Sequence, residues 1–212
     1  MNMKILLTIC GRGGSKGIPG KNFKELNGKP LIAYTIETAC KFASVVSEVT
    51  IELSTDSQDI LVAAATAGLS TDYRRADCLA TDTAGKIDVI KDLLLYSERV
   101  YSTRYDYILD MDITSPMRNV DDLKSALEII DSDEGAVNIF SVSPASRNPY
   151  FNMVEQKETG YYGVVVGQKG EIFSRQKTPA VYDMNASFYF YKRSFFDMGY
   201  RSAITDKSLI YI

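Results

Sequence analysis

Cys10-Gly11-Arg12-Gly13-Gly14-Ser15-Lys16-Gly17-Ile18-Pro19-Gly20-Lys21-Asn22 follows directly on Met3-Lys4-Ile5-Leu6-Leu7-Thr8-Ile9. The apolar run reads as a short strand buried on both faces. A strand therefore ends in a long glycine-rich loop. Its glycines let the backbone take positive φ and bring N–H groups close to a ligand, while Arg12, Lys16 and Lys21 add positive charge with no acid among them. That combination suits a polyphosphate; a flexible basic surface loop is the bland alternative.

Spacing excludes two better-known phosphate loops. G-x-G-x-x-G fits Gly11 and Gly13 and then meets Lys16, and G-x-x-x-x-G-K-[ST] has no register that ends correctly. Pro19 keeps a helix from starting directly after the first glycines. The first helix is expected over 29–42, with Pro30 in its first turn.

Outward from the loop, 49–53 reads as a second strand, and Thr55-Asp56-Ser57-Gln58 has the form of a capping box opening a helix through Ala67. A helix over 87–101, a strand over 105–109, an Asn119-capped helix and a strand over 136–142 continue the rhythm. Alternation of this kind predicts a parallel sheet with right-handed crossovers, and ligands beyond the carboxyl ends of its strands. From Ser143 to Tyr182 the text turns polar, aromatic and glycine-punctuated, with short β runs such as 163–166. Residues 182–192 return to the sheet, Phe188 and Phe190 as core. The expected organisation is an α/β core of 1–142 and 183–212 carrying an insertion at 143–182.

Composition narrows the chemistry. The 212 residues are 45% hydrophobic and 24% charged, as in a globular protein of one ordinary domain. A net charge of −3 argues against a nucleic-acid binder, so any anion site must be local. Three cysteines without pairing or metal spacing favour a reduced, cytoplasmic setting, and no apolar run approaches the roughly 20 residues of a membrane span. Histidine is absent, which removes Ser-His-Asp and Cys-His catalysis and most zinc sites. Phosphoryl transfer needs none of these.

Arg12 to Asn22 reads R-G-G-S-K-G-I-P-x-K-N and Leu26 to Ile36 reads L-x-G-K-P-L-I-A-Y-T-I. Together they resemble the N-terminal signature of the acylneuraminate cytidylyltransferases, the CMP-sialic acid synthetases. The resemblance implies a Rossmann-like nucleotidyltransferase of the GT-A-like kind, with a mostly parallel sheet and a small β-rich dimerisation insertion. It implies an enzyme that joins CTP to a nine-carbon 2-keto-3-deoxy sugar acid, releases pyrophosphate, requires Mg2+ and works as a homodimer. On this reading the amides of Gly13, Gly14 and Ser15, with Arg12, Lys16 and Lys21, cradle the triphosphate and supply the catalytic charge. Asn22 contacts ribose or base.

Further segments extend the resemblance. Tyr73 to Ala84 is similar to R-P-x-x-L-A-x-D-T-A, with Ala76 in place of the proline, which puts Arg75 and Ala84 at the nucleotide. Two residues on, where many relatives carry serine, stands Lys86; it either reaches a phosphate or lies in solvent. Asp110 to Arg118 is similar to L-Q-P-T-S-P-L-R, so Thr114, Ser115 and Arg118 match at the substrate while Asp112 replaces glutamine. Two readings of Asp112 stand: with Asp110 it forms a D-x-D holding Mg2+, or it faces the sugar and marks a legionaminic-type or other nonulosonate. Asp110 has a third option, as a solvated strand-end acid.

Residues 172–179 resemble R-Q-x-x-P, which implies that Arg175 lies near the sugar carboxylate in the partner subunit's site; a hairpin folded back on its own domain is the alternative. Asn185 matches the first residue of N-G-A-x-Y-x-x-K and is expected at the sugar. Relatives continue into a further D-x-D that binds Mg2+, which the last strand, 208–212, would precede. Rival functions are a nucleotidyltransferase for another sugar or nucleotide, and a catalytically weak nucleotide-binding homologue.

Overall fold

The computed structural model describes residues 3–14, 17–167 and 175–212. It is an α/β chain whose strands and helices run, in order, β1 (Ile5–Cys10), β2 (Glu25–Leu26), β3 (Lys29–Pro30), α1 (Leu31–Val45), β4 (Val49–Ser54), α2 (Gln58–Thr66), α3 (Lys86–Val100), β5 (Tyr107–Met111), α4 (Val120–Ser132), β6 (Asn138–Pro144), β7 (Val154–Gln156), β8 (Tyr162–Val164), β9 (Tyr182–Lys192), α5 (Arg193–Asp197) and β10 (Ser208–Tyr211). Six strands form one sheet in the order β10-β6-β9-β5-β1-β4. β1 pairs in parallel with β4 and β5, β10 with β6, and β9 runs antiparallel to β5.

The opening apolar run lies at the centre of this sheet. Ile5, Leu6, Leu7 and Ile9 are fully buried, each burial worth about 1.5–3 kcal/mol. Odd and even positions face opposite layers: Ile5, Leu7 and Ile9 pack with Ile32, Ile36 and Phe42 of α1, and Leu6 with Ile90 and Leu94 of α3. A strand sandwiched in this way has no polar face, which is why the run does not alternate.

Local starts follow the sequence with small displacements. Asn119 Oδ1 accepts from the Asp122 amide and caps α4. The cap of α2 is Ser57, not Thr55: Ser57 Oγ accepts from the Ile60 amide, and Thr55 Oγ1 takes the Ser57 amide in a preceding turn. The helix expected to be capped at Thr55 thus starts two residues late, because the Thr55 hydroxyl closes a local turn on the Ser57 amide and leaves the cap to Ser57.

The chain divides into two compact units, Met1–Ser141 with Ala186–Tyr211, and Val142–Asn185 with Ile212. The second contains the β7-β8 hairpin and is tied internally by Asn148, whose side chain donates to Thr178 Oγ1 and to the Pro179 carbonyl. No described helix is long and apolar enough to cross a membrane.

Candidate active site

Parallel pairing of β4, β1 and β5 brings their carboxyl ends together within the first unit, so the segments that follow Cys10, Ser54 and Met111 meet. The Gly11 amide donates to the Ser54 carbonyl and the Gly13 amide to Asp56 Oδ1, both at 3.0 Å. Two of the loop's glycines are needed for close approach. A Cβ on Gly11 would come within 2.6 Å of Ile113 Cδ1, and one on Gly13 within 3.0 Å of Ser57 Cβ. Among the described loop residues only Gly20 takes positive φ, +68°.

Two clefts open here, of about 250 and 570 Å³, and they share Cys10, Arg12 and Asp112. Arg75, Ala84 and Lys86 line the smaller; Lys21, Asn22 and Thr114 line the larger. Arg12, Arg75, Lys86 and Lys21 face Asp82 and Asp112, so the lining is net positive in a chain of net charge −3. Such local excess concentrates anions.

The cations differ in how they are held. Arg12 pairs with Asp82. Arg75 donates from Nε to Ser54 Oγ and from Nη2 to the Ser54 carbonyl, with no carboxylate partner among the described residues. Lys21 makes no ion pair among the described residues and lies on the larger cleft. Asn22 is 6% exposed, and its Nδ2 donates to the Arg12 carbonyl, so it braces the loop from beneath.

Lys86 is 39% exposed along its side chain, but its ammonium neither stands free in solvent nor reaches across the cleft. Its Nζ is 2.7 Å from Asp110 Oδ2 and 3.4 Å from Asp112 Oδ2, and sits 5.5 Å from the Tyr189 ring centre. Asp110 is fully buried, not a solvated strand-end acid, and its Oδ1 also accepts from Thr8 Oγ1. Burial works against the lysine's charge, but the two carboxylates outweigh it and raise its pKa above the ordinary value. Burial likewise works to raise Asp112, and is overcome by Lys86 and by hydrogen bonds from the Thr114 amide and hydroxyl to Oδ1, which hold it below the usual carboxylate range. Cys10 at the floor is pushed up to about 12, by burial first and by Asp110 second, so its thiol is neutral and no nucleophile.

Asp110 and Asp112 do not fit Mg2+. That ion asks for near-octahedral oxygen ligands at short range, whereas these carboxylates are already engaged by an ammonium, two hydroxyls and an amide. Among the described residues no group of three or more Asp, Glu, Cys or His is arranged to hold a metal.

Arg118 corrects a second expectation. It lines neither cleft: its guanidinium donates to the carbonyls of Ser187, Asp112 and Ser115 and to Thr35 Oγ1, and the residue is 9% exposed. It clamps the turn after β5 to β9 and α1. Ser115 enters that clamp through its carbonyl. Asn185 belongs to the second unit, where its Nδ2 donates to Ser143 Oγ; Arg175 opens a 3-10 turn, Arg175–Lys177. Ser15 and Lys16 lie outside the described residues, as do positions 172–174 of the R-Q-x-x-P segment. Asp56, Asp82 and Cys10 were not legible as site residues. For Asp82 the only signal was its place in the A-T-D-T-A text, and for Asp56 there was none.

A nucleotide-sized, positively lined crevice at the carboxyl ends of parallel strands is the site of an α/β nucleotidyltransferase. The chain belongs to the cytidylyltransferase family, whose model matches residues 7–207. It is 40% identical over 192 residues to the post-translational flagellin modification protein B of Campylobacter coli, covering 91% of this chain and 79% of that protein. It is 38% identical over 195 residues to the CMP-N,N'-diacetyllegionaminic acid synthase of Campylobacter jejuni subsp. jejuni serotype O:2, with the same coverage. Its fold is similar to that of a CMP:2-keto-3-deoxy-manno-octonic acid synthetase complexed with CTP, at a TM-score of 0.63 and 16% identity over 94% of this chain and 79% of that one.

Proposed function

We propose that this protein transfers CMP from CTP to a nine-carbon 2-keto-3-deoxy sugar acid of the nonulosonate class and releases pyrophosphate. The observation that carries the reading is that Lys21, which makes no ion pair among the described residues, and Asp112, whose pKa is lowered, line the same larger cleft. The name of the legionaminic acid synthase relative supports a sugar acid of that type, and so does Asp112 where sialic acid enzymes carry glutamine.

In this mechanism Arg12, Arg75 and Lys21, with the amides of Gly13, Gly14 and Ser15 and with Lys16, hold the triphosphate. Asn22 and Ala84 border the nucleoside. The anomeric 2-hydroxyl attacks the α-phosphorus in line, the bond to the bridging oxygen breaks, and pyrophosphate leaves with the electron pair. Asp112 and Thr114 face the sugar, and on the family resemblance Asn185 hydrogen-bonds a sugar and Arg175 lies near the sugar carboxylate of the partner subunit's site. Phosphoryl transfer rests on positioning and charge, which these residues supply without a nucleophile of the protein. Mg2+ is the proposed cofactor on the family's general need for a divalent metal, and no described residue of this chain is assigned to it.

The second unit carries the proposed homodimer contact. Val154, Tyr161 and Tyr162 on and beside the β7-β8 hairpin are 63%, 80% and 71% exposed, and a lone two-stranded hairpin is marginally stable in water. A cytoplasmic location accords with three free cysteines.

Pyrophosphate release, measured with each of four nucleoside triphosphates against a panel of 2-keto sugar acids, tests the reading. Turnover with CTP and a nonulosonate, identified by mass spectrometry of the CMP-sugar, is the expected result. Turnover with another nucleotide alone, or CTP binding without product, would replace it.

A further inference from the structure

We infer that Lys86 is the resident cation of the Asp110–Asp112 pair, a tethered ammonium that takes the place a divalent ion would occupy between these carboxylates. Asp110 is fully buried, and a buried carboxylate is costly unless paired and hydrogen-bonded. Thr8 serves one oxygen and Lys86 the other, at 3.0 and 2.7 Å. The same ammonium lies 3.4 Å from Asp112 Oδ2, so one charge bridges both acids. Lys86 is the first residue of α3, on the layer opposite α1, and its four-carbon stem carries the charge back to the sheet under the Tyr189 ring.

Two carboxylates and one ammonium sum to a single negative charge. A divalent ion placed there would have to expel the ammonium or sit against it, and each alternative costs Coulomb energy in a partly buried site. The ammonium thus orients Asp112 toward the larger cleft and closes the pair to metal, making Lys86 a positioning residue. The inference rests on the electrostatics of the pair and not on the proposed substrate, so the two fail separately.

Mn2+ added to the metal-free protein, with no nucleotide, is the probe, its bound fraction read by electron paramagnetic resonance. Wild-type uptake is expected to be the same as that of Asp112→Asn. Lys86→Ala is expected to gain one Mn2+ site that the Lys86→Ala/Asp112→Asn double variant loses. The melting temperature of Lys86→Ala should fall without metal and recover with Mn2+, while Lys86→Met, which fills the space without charge, falls and does not recover. Mn2+ held by the wild type and lost on Asp112→Asn would overturn the inference, as would a folded Lys86→Ala that takes up none.

Discussion

Arg12 Nη1 lies 2.5 Å from Asp82 Oδ1, joining the glycine-rich loop to a segment 70 residues away on the lining of the smaller cleft. Both side chains are roughly half exposed, 38% and 47%, so the pair is weak and an incoming phosphate competes with Asp82 for the guanidinium. Asp82→Asn should tighten CTP binding by up to about fivefold, the span of an exposed ion pair. Calorimetric titration reads this, and weaker binding would mean that Asp82 organises the cleft rather than competing for it.

Lys21 makes no ion pair among the described residues. Lys21→Ala should therefore leave the unfolding free energy from urea titration within about 0.5 kcal/mol of wild type, while turnover falls by about a hundred- to a thousandfold, as when other preorganised electrostatic donors are removed. Unchanged pyrophosphate release would end its catalytic role.

Arg118 predicts the reverse. Removing its fork takes one of two donors from each of the Ser187 and Asp112 carbonyls, which keep the Asp112 amide and the Thr35 hydroxyl, and each lost hydrogen bond costs about 0.5–1.5 kcal/mol. Arg118→Met should lower stability by roughly that amount or more. Arg118→Lys should lower it too, since an ammonium cannot reproduce the planar fork. If Arg118→Lys kept full stability and raised only the KM of the sugar acid, the residue would return to the substrate.

Cys10 sets a window in alkali. Its pKa is raised from 9.0 to about 12 in the folded protein, so between these values the unfolded chain has lost a proton that the native one keeps. Fewer protons bound in the unfolded state mean that stability falls as pH rises. The loss should begin near pH 9, and Cys10→Ser should flatten it in urea titrations. Iodoacetamide at pH 8 should label the exposed Cys40 and Cys78 and spare Cys10, as read by mass spectrometry.

Much of this protein was legible in its sequence because the relevant forces are local. Apolar spelling in Ile5–Ile9, interrupted only by Thr8, implies a strand covered on both faces, and Asn119 before Val120 implies a cap. The loop's glycines and cations read in sequence as an anion site at a strand end, and in the structure Arg12 and Lys21 line a cleft there, while the reason for the glycines differs in part. Gly11 and Gly13 are there for close packing against Ile113 and Ser57 and not for positive φ.

Sequence by itself determined the main strand and helix order, the glycine-rich loop after the first strand and the cytidylyltransferase family, since propensity, pattern and motif are properties of neighbouring residues. Only the tertiary structure decided that Arg118 is a clamp, that Asp82 answers Arg12, and that Lys86 fills the Asp110–Asp112 pair. Asp82 for Arg12, Asp110 and Asp112 for Lys86, and Thr35 and Ser187 for Arg118 lie 24 to 83 positions away in the chain, and what partners a charge is set by distance through space, which spacing along the chain does not carry.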